Sequence, residues 1–160
     1  MDINRVKAYI DSPDGQKKMK AITELRKYDP EIAVPLLKAK INDSAFIVRS
    51  FVAMGLGKKQ NPDGFVALLE MMNFDRDPNV RAEAANSLSL FGKIAASHLV
   101  VRFEQDEHWL VRRSIIAALI ELDCFEGEGF LFHLQSPLLS SSKLVKFGNT
   151  TYTHEKKGCQ

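Results

Sequence analysis

The segment that decides the fold is Asp-Arg-Asp-Pro-Asn-Val-Arg at residues 75–81. Two related segments flank it, Asp-Ser-Ala-Phe-Ile-Val-Arg at residues 43–49 and Asp-Glu-His-Trp-Leu-Val-Arg at residues 106–112. Each segment begins with Asp and ends with Val-Arg, and their starts are spaced by 32 and then 31 residues. A fixed period of about 20 to 50 residues predicts a repeat protein in which each unit is one supersecondary element.

Apolar residues at helical spacing follow each Val-Arg pair. Four and eight positions after the three valines come Val52 and Leu56, Ala84 and Leu88, and Ile115 and Leu119. This spacing places them on one face of a helix, which we term helix A of each unit. A second amphipathic stretch contains Leu68, Val100 and Leu131, each twenty residues after its Val. This stretch is helix B, so each unit is predicted to be a helix, a turn and a second helix.

The register also extends towards the N-terminus, where Lys17-Lys18 replaces Val-Arg. The period predicts a half repeat at residues 2–11 and units at about 12–42, 43–74, 75–105 and 106–135, giving nine helices. After Ser136 the register is lost, and we expect residues 136–160 to be poorly ordered. Either the array ends early with an apolar end face, through which copies of the chain would associate, or the tail folds back as a cap.

Proline and glycine positions predict the ends of the helices. Asp29-Pro30, Asn61-Pro62 and Asp77-Pro78 combine a side-chain acceptor with a proline, which is typical of a helix start. Gly57 and Gly92 are expected to end helices A. Because Pro35 would destabilise a helix interior, helix B of the first unit is expected to begin near Val34.

These residues resemble a known family of repeats. The run from Ala33 to Leu37, the Asn42-Asp43 and Val48-Arg49 pairs, and residues 77–85 are similar to HEAT-like repeats of the phycobilisome lyase type, over about residues 12–123. The resemblance implies an all-α, short right-handed α-solenoid of about four helix pairs, with helices B on the concave side. Members of this group include bilin lyase subunits and scaffolds without chemistry of their own.

Composition limits the class of protein. The chain has 160 residues, of which 45% are apolar and 26% charged, and its formal net charge is +2. These values are typical of a soluble globular protein and give no global attraction to nucleic acid. With neither a signal peptide nor a transmembrane segment in the sequence, we expect a cytoplasmic or, following the resemblance, plastid stromal protein.

The repeated arginines are predicted to have a structural role. Arg49, Arg81 and Arg112 each follow an Asp by six residues, namely Asp43, Asp75 and Asp106. In a stacked array such pairs can form a ladder of charge-assisted hydrogen bonds from one unit to the next. We therefore interpret these six residues as a structural ladder and not as an anion-binding stripe.

Polar residues of helices B that lie outside the apolar stripe are the candidates for partner binding, because a solenoid binds along its groove. They are Lys38, Glu70, His98, Arg102 and Glu104. Their mixed signs favour a protein surface of matched charge over a polyphosphate. Trp109 opens the last helix A at an inter-repeat turn and is either a hydrophobic staple or a binding anchor.

No motif predicts catalysis, a metal or a cofactor. The four histidines lack the spacing of a metal site, and Gly55 to Lys59 lacks the first glycine and the hydroxyl residue of a phosphate loop. Cys124 is predicted to be a packed thiol.

The leading hypothesis is a non-catalytic scaffold that binds a protein partner along helices B. The alternative, which the resemblance implies, is a bilin lyase subunit or pigment chaperone acting with a partner, in which His98 and Arg102 would contact the bilin. If the chain is an enzyme, we expect it to be a bilin lyase-type subunit that acts with a partner. Nucleic-acid binding is a weaker alternative because no basic stripe with interleaved aromatic residues is present.

Overall fold

The computed structural model describes residues 1–122, which fold as α-helices joined by short turns. Internal contacts divide the chain into Met1–Cys124 and Phe125–Gln160, and the second unit lies outside the described residues. The helices are α1 (Ile3–Ile10), α2 (Gly15–Glu24), α3 (Pro30–Lys38), α4 (Phe46–Lys59), α5 (Pro62–Phe74), α6 (Pro78–Ser89), α7 (Ala96–Gln105) and α8 (Trp109–Glu121). Leu25–Lys27 and Gly92–Ala95 form short 3-10 turns.

The helices stack as a solenoid. Helices α2, α4, α6 and α8 are the helices A and pack one against the next, while α1, α3, α5 and α7 are the helices B. Each helix B also packs on the helix A that follows it. The described residues thus contain a half repeat, three pairs and one further helix A, which confirms the predicted all-α solenoid. The ninth predicted helix, Cys124 and the tail at 136–160 lie outside the described residues.

Two of the three predicted side-chain caps, Asn61 and Asp77, are made, and Asp14 caps a further helix, whereas Asp29 makes no capping hydrogen bond. The side chains of Asp14, Asn61 and Asp77 accept hydrogen bonds from backbone N–H groups in the first turns of α2, α5 and α6 at 2.8 to 2.9 Å. Pro62 and Pro78 occupy the first positions of their helices, where no backbone N–H is needed. Local sequence therefore sets the start of these three helices, and apolar spacing sets the face that each buries.

The core lies between the two layers of helices. Residues predicted from the repeat register are fully or almost fully buried: Leu37, Val48, Val52, Leu56, Leu68, Val80, Leu88, Val111, Ile115 and Leu119. Full burial of each such side chain contributes about 1.5–3 kcal/mol. The stack is therefore continuous from α2 to α8.

Gly57 does not end a helix, contrary to the prediction. Helix α4 continues to Lys59, and Gln60 ends it in a left-handed conformation with φ of 47°. Gly57 has a packing role, because a Cβ atom on it would lie 2.7 Å from the Cβ of Ser87 in α6. Gly92 does lie after the end of α6 and adopts φ of 78°.

Two matched glycine substitutions test this packing role. Gly57→Ala should destabilise the protein by about 1–3 kcal/mol, because α4 and α6 must separate. Gly15→Ala at the start of α2, where nothing lies within 4 Å of the added Cβ, should instead stabilise it by about 0.4–1 kcal/mol. Urea unfolding of both variants measures the two effects, and an equal sign for the pair would contradict the close approach at Gly57.

Helix α3 starts at Pro30, as the Asp29-Pro30 pair predicts, and carries Pro35 in its interior. The expectation that it begins near Val34 is therefore wrong. Pro35 removes the N–H that would bond to the carbonyl of Glu31, and both residues are exposed. Water can satisfy that carbonyl, so the helix tolerates the proline.

The register of α7 also differs from the prediction by one residue. Leu99 is fully buried, and Val100, which the sequence aligned with Leu68, is only half-buried. The reason is that Leu68 and Leu99 are 31 residues apart, like the Asp75 and Asp106 that follow their helices, whereas Val48 and Val80 are 32 apart. Between these two units, equivalent helix B residues are therefore one residue closer together in the sequence than equivalent helix A residues.

Candidate functional site

The ladder residues meet at the turns that join one unit to the next. Arg49 donates from Nε to Asp75 Oδ2 at 2.7 Å and from Nη2 to Asp75 Oδ1 at 2.9 Å. Its Nη1 also donates to the backbone carbonyl of Asp43 at 2.8 Å. The Arg49 and Asp75 side chains are 4% and 6% exposed. One buried guanidinium thus ties its own turn to the next turn.

The next rung repeats this geometry with an additional arginine. Arg81 donates to Asp106 Oδ2 at 2.8 Å and to the carbonyl of Asp75 at 2.9 Å. Arg102 donates to the same Asp106 oxygen at 2.6 Å. Burial would raise the pKa of Asp106, but hydrogen bonds from Arg81, the His108 N–H and Arg102 lower it to about 2. Asp106 is thus the most strongly held carboxylate of the ladder.

The first rung uses a lysine. Lys18 donates to Asp43 Oδ2 at 2.6 Å. Burial would raise the pKa of Asp43, but the hydrogen bonds from Lys18 and from the Ala45 N–H, together with the nearby lysine charges, lower it. Sequence reasoning treated Lys17-Lys18 only as a departure from Val-Arg. Because Lys18 stands 31 residues before Arg49, the register held the signal for this rung.

Arg112 has a different environment from the other ladder arginines. It donates to the carbonyls of Phe103 at 2.8 Å and Asp106 at 3.4 Å. Its guanidinium also lies 4.0 Å from the centroid of the Phe103 ring, a cation–π contact. All the ladder cations in the described residues therefore bind groups of the chain itself.

The candidate partner-binding residues fall into two groups. Lys38, Glu70, His98 and Glu104 are exposed on α3, α5 and α7. Arg102 instead belongs to the ladder, because both its Nε and its Nη2 donate to Asp106. Register alone could not show this, since Arg102 lies four residues from Asp106 on the last turn of α7.

Two of the candidate residues, His98 and Trp109, make contacts with other aromatic rings. His98 packs edge-on against the Phe65 ring, with centroids 5.8 Å apart. Trp109 stacks on His108 at a centroid distance of 6.2 Å, yet 63% of Trp109 stays exposed. Trp109 is thus one large aromatic surface presented at an inter-repeat turn.

Helices B also expose apolar side chains that sequence reasoning missed. Ile32 on α3, Val66 on α5 and Val101 on α7 are 42%, 63% and 51% exposed. We call these three residues the helix B row. Apolar type alone indicates core, so only their position outside the buried stripe of each helix could have revealed them.

Two open clefts lie at the turns between units. One, of about 340 Å³, lies between Asp43 and Arg76, and the other, of about 510 Å³, between Asn73 and His108. Within residues 1–122 no group of three or more metal-binding side chains occurs. No helix in the same range is long and apolar enough to cross a membrane.

Paired helices, stacked in two layers and tied by arginine–aspartate rungs, define a helical-repeat solenoid of the HEAT class. A family model of HEAT repeats matches residues 34–120, more than half of the chain, and the chain belongs to this family.

Among solved structures the chain is similar to the complex of CpcE and CpcF of phycocyanin lyase from Nostoc sp. PCC7120. The identity is 23%, the TM-score is 0.67, and the match covers 89% of this chain and 94% of the other. This likeness shows that the two share the fold. A comparison with curated proteins finds no match.

Proposed function

We propose that this chain is a non-catalytic scaffold that binds a protein partner along its helices B. The observation that carries the proposal is the helix B row, because Ile32, Val66 and Val101 present apolar surface from three successive units. Single exposed apolar residues are ordinary, but exposed apolar residues on three successive helices of one layer support a contact surface.

Charge on the same helices supports a protein as the partner. Lys38 on α3 and Glu70 and Glu104 on α5 and α7 are exposed and of opposite sign. A polyanion such as nucleic acid would need a basic stripe, whereas matched charges of both signs favour a folded protein surface. The structural neighbour is itself part of a two-protein complex, which is consistent with this proposal.

Site-specific photo-cross-linking tests the helix B row. Benzoylphenylalanine placed at Val66 or Val101 should cross-link the same protein from an extract of the native cells. The same group at Asn86, which is exposed on the helix A α6, is the control and should give no such product. Val66→Asp with Val101→Asp should weaken binding of that protein at least about tenfold at unchanged melting temperature. Cross-linking from Asn86 alone would refute the proposal.

A bilin lyase subunit or pigment chaperone is the second candidate function, favoured by the likeness to the CpcE–CpcF structure of phycocyanin lyase. His98 is the exposed polar side chain that could meet the bilin, since Arg102 is bound to Asp106. In the cross-linking experiment this function would appear as recovery of a phycobiliprotein or lyase subunit, together with a changed visible spectrum when bilin is added. Recovery of other proteins, together with an unchanged spectrum, would exclude the bilin function and leave only the scaffold function.

A further inference from the structure

Helix α2 has a face that no preceding helix A covers in the described residues. The interior of the stack shows which face this is, because Gly57 of α4 meets Ser87 of α6, and Ser87 lies seven residues after the valine of its unit. In α2 the residues at the valine position, three after it and seven after it are Lys17, Lys20 and Glu24. These positions share one face of a helix, so the side of α2 that a preceding unit would cover carries charge.

Two helices bring cations together around Tyr9 beside this face. Arg5 on α1 donates from Nη2 to the Tyr9 hydroxyl at 3.1 Å, and its guanidinium lies 5.3 Å from the centroid of the Tyr9 ring. Lys17 Nζ on α2 lies 5.9 Å from the same centroid. The hydrogen bond and charge of Arg5, and the charges of Lys20 and Lys17, lower the pKa of Tyr9. We call Arg5, Tyr9, Lys17 and Lys20 the end cluster.

The two lysines of the end cluster have no acidic partner in residues 1–122. Both are exposed, and neither forms an ion pair there. The nearby acids have other roles: Asp2 and Asp14 accept backbone N–H groups in the first turns of α1 and α2 at 3.0 and 2.9 Å, and Glu24 pairs with the N-terminal ammonium and a lysine. The end cluster thus presents free positive charge and the hydroxyl proton of Tyr9, which together select an acidic occupant.

The distribution of charge along the chain limits the size of that occupant. Residues 1–60 contain 12 lysines and arginines but 7 aspartates and glutamates, whereas residues 61–122 contain 6 and 9. Nucleic acid carries about one negative charge per 1.7 Å and needs a continuous basic stripe, which the second half of the described chain would interrupt by repulsion. A short acidic segment of a protein needs only the cations of one end.

We propose that the end cluster binds an acidic segment of a partner protein. Aspartate or glutamate side chains of that segment pair with Arg5, Lys17 and Lys20, and one of their carboxylates accepts the Tyr9 O–H. The end cluster lies on α1 and α2 and shares no residue with the helix B row, so the two surfaces can be tested separately.

A labelled peptide tests the proposal directly. The probe is a fluorescein-labelled peptide of six Glu-Ser repeats, titrated with the full chain at about 50 mM salt, where surface charges are weakly screened, and followed by fluorescence anisotropy. One control is the same peptide with Gln in place of Glu, and the other is a single-stranded oligothymidine of twelve nucleotides. We expect saturable binding of the probe at a Kd below about 100 µM and at least about tenfold weaker binding of both controls.

Variants assign the binding to the end cluster. Lys17→Glu with Lys20→Glu should weaken binding of the probe at least about tenfold at unchanged melting temperature, because both side chains are exposed. Lys38→Glu with Lys93→Glu is the matched control: it changes the net charge equally at two exposed lysines of other helical segments and should change the Kd less than about twofold. Absence of probe binding at about 1 mM, equal binding of the oligothymidine, or an equal loss in the two double variants would overturn the proposal.

Discussion

Arg49→Ala is expected to destabilise the protein by about 3–5 kcal/mol, the cost of leaving a buried charge without its partner. Arg49 and Asp75 are both almost completely buried, and the substitution removes two bonds to the carboxylate. It also removes the donor to the carbonyls of Asp43 and Ser44, which keeps the first turn in place. Guanidinium chloride unfolding at pH 7 measures the loss.

A surface ion pair is the matched control for this substitution. Lys27 pairs with Glu24 at 3.1 Å, but its side chain is 71% exposed. Lys27→Ala also replaces a paired cation with alanine and should cost at most about 1 kcal/mol. The double substitution Arg49→Met with Asp75→Asn should recover at least half of the loss, because no charge then remains buried. A cost of less than about 1 kcal/mol for Arg49→Ala would show that the ladder does not hold the turns together.

The fold could be predicted from the sequence because the same pattern of residues recurs in three successive units. The Asp and Val-Arg spacing placed helices A, and Pro62 and Pro78 placed the starts of two helices. Single-position signals were less reliable. Gly57 was interpreted as a helix end because glycine is common there. The sequence does not show that Ser87 of the neighbouring helix occupies the space in which a side chain of residue 57 would lie.

The contacts of the candidate site could be predicted only where they recur at equivalent positions of successive units. The register brought Arg49 and Arg81 to the turns, where they bind Asp75 and Asp106. It could not assign Arg102 to the ladder, because that contact depends on how a helix end meets its own turn. Val66 differs from the core residues only in lying outside the buried stripe of α5, because its apolar side chain is otherwise typical of a core residue.

Asp106→Asn is expected to cost about 3–5 kcal/mol at pH 7, because Arg81 and Arg102 then face a neutral amide in a buried position. Asp29→Asn is the matched control, since Asp29 is exposed and its side chain makes no capping hydrogen bond. That substitution should change the stability by less than about 0.5 kcal/mol.

The same variant should show a characteristic pH dependence. The pKa of Asp106 is about 2 in the folded protein and 3.8 as its reference, so its ionisation stabilises the fold fully above 3.8. As the pH falls through 3.8 towards 2, the gap between wild type and Asp106→Asn should narrow by on the order of 2 kcal/mol. Other carboxylates titrate in both proteins and cancel in the difference. Unfolding of both proteins at pH 7, 5, 4, 3 and 2 measures the gap, and a gap that is constant over this range would mean that Asp106 is not held as a carboxylate by the two arginines.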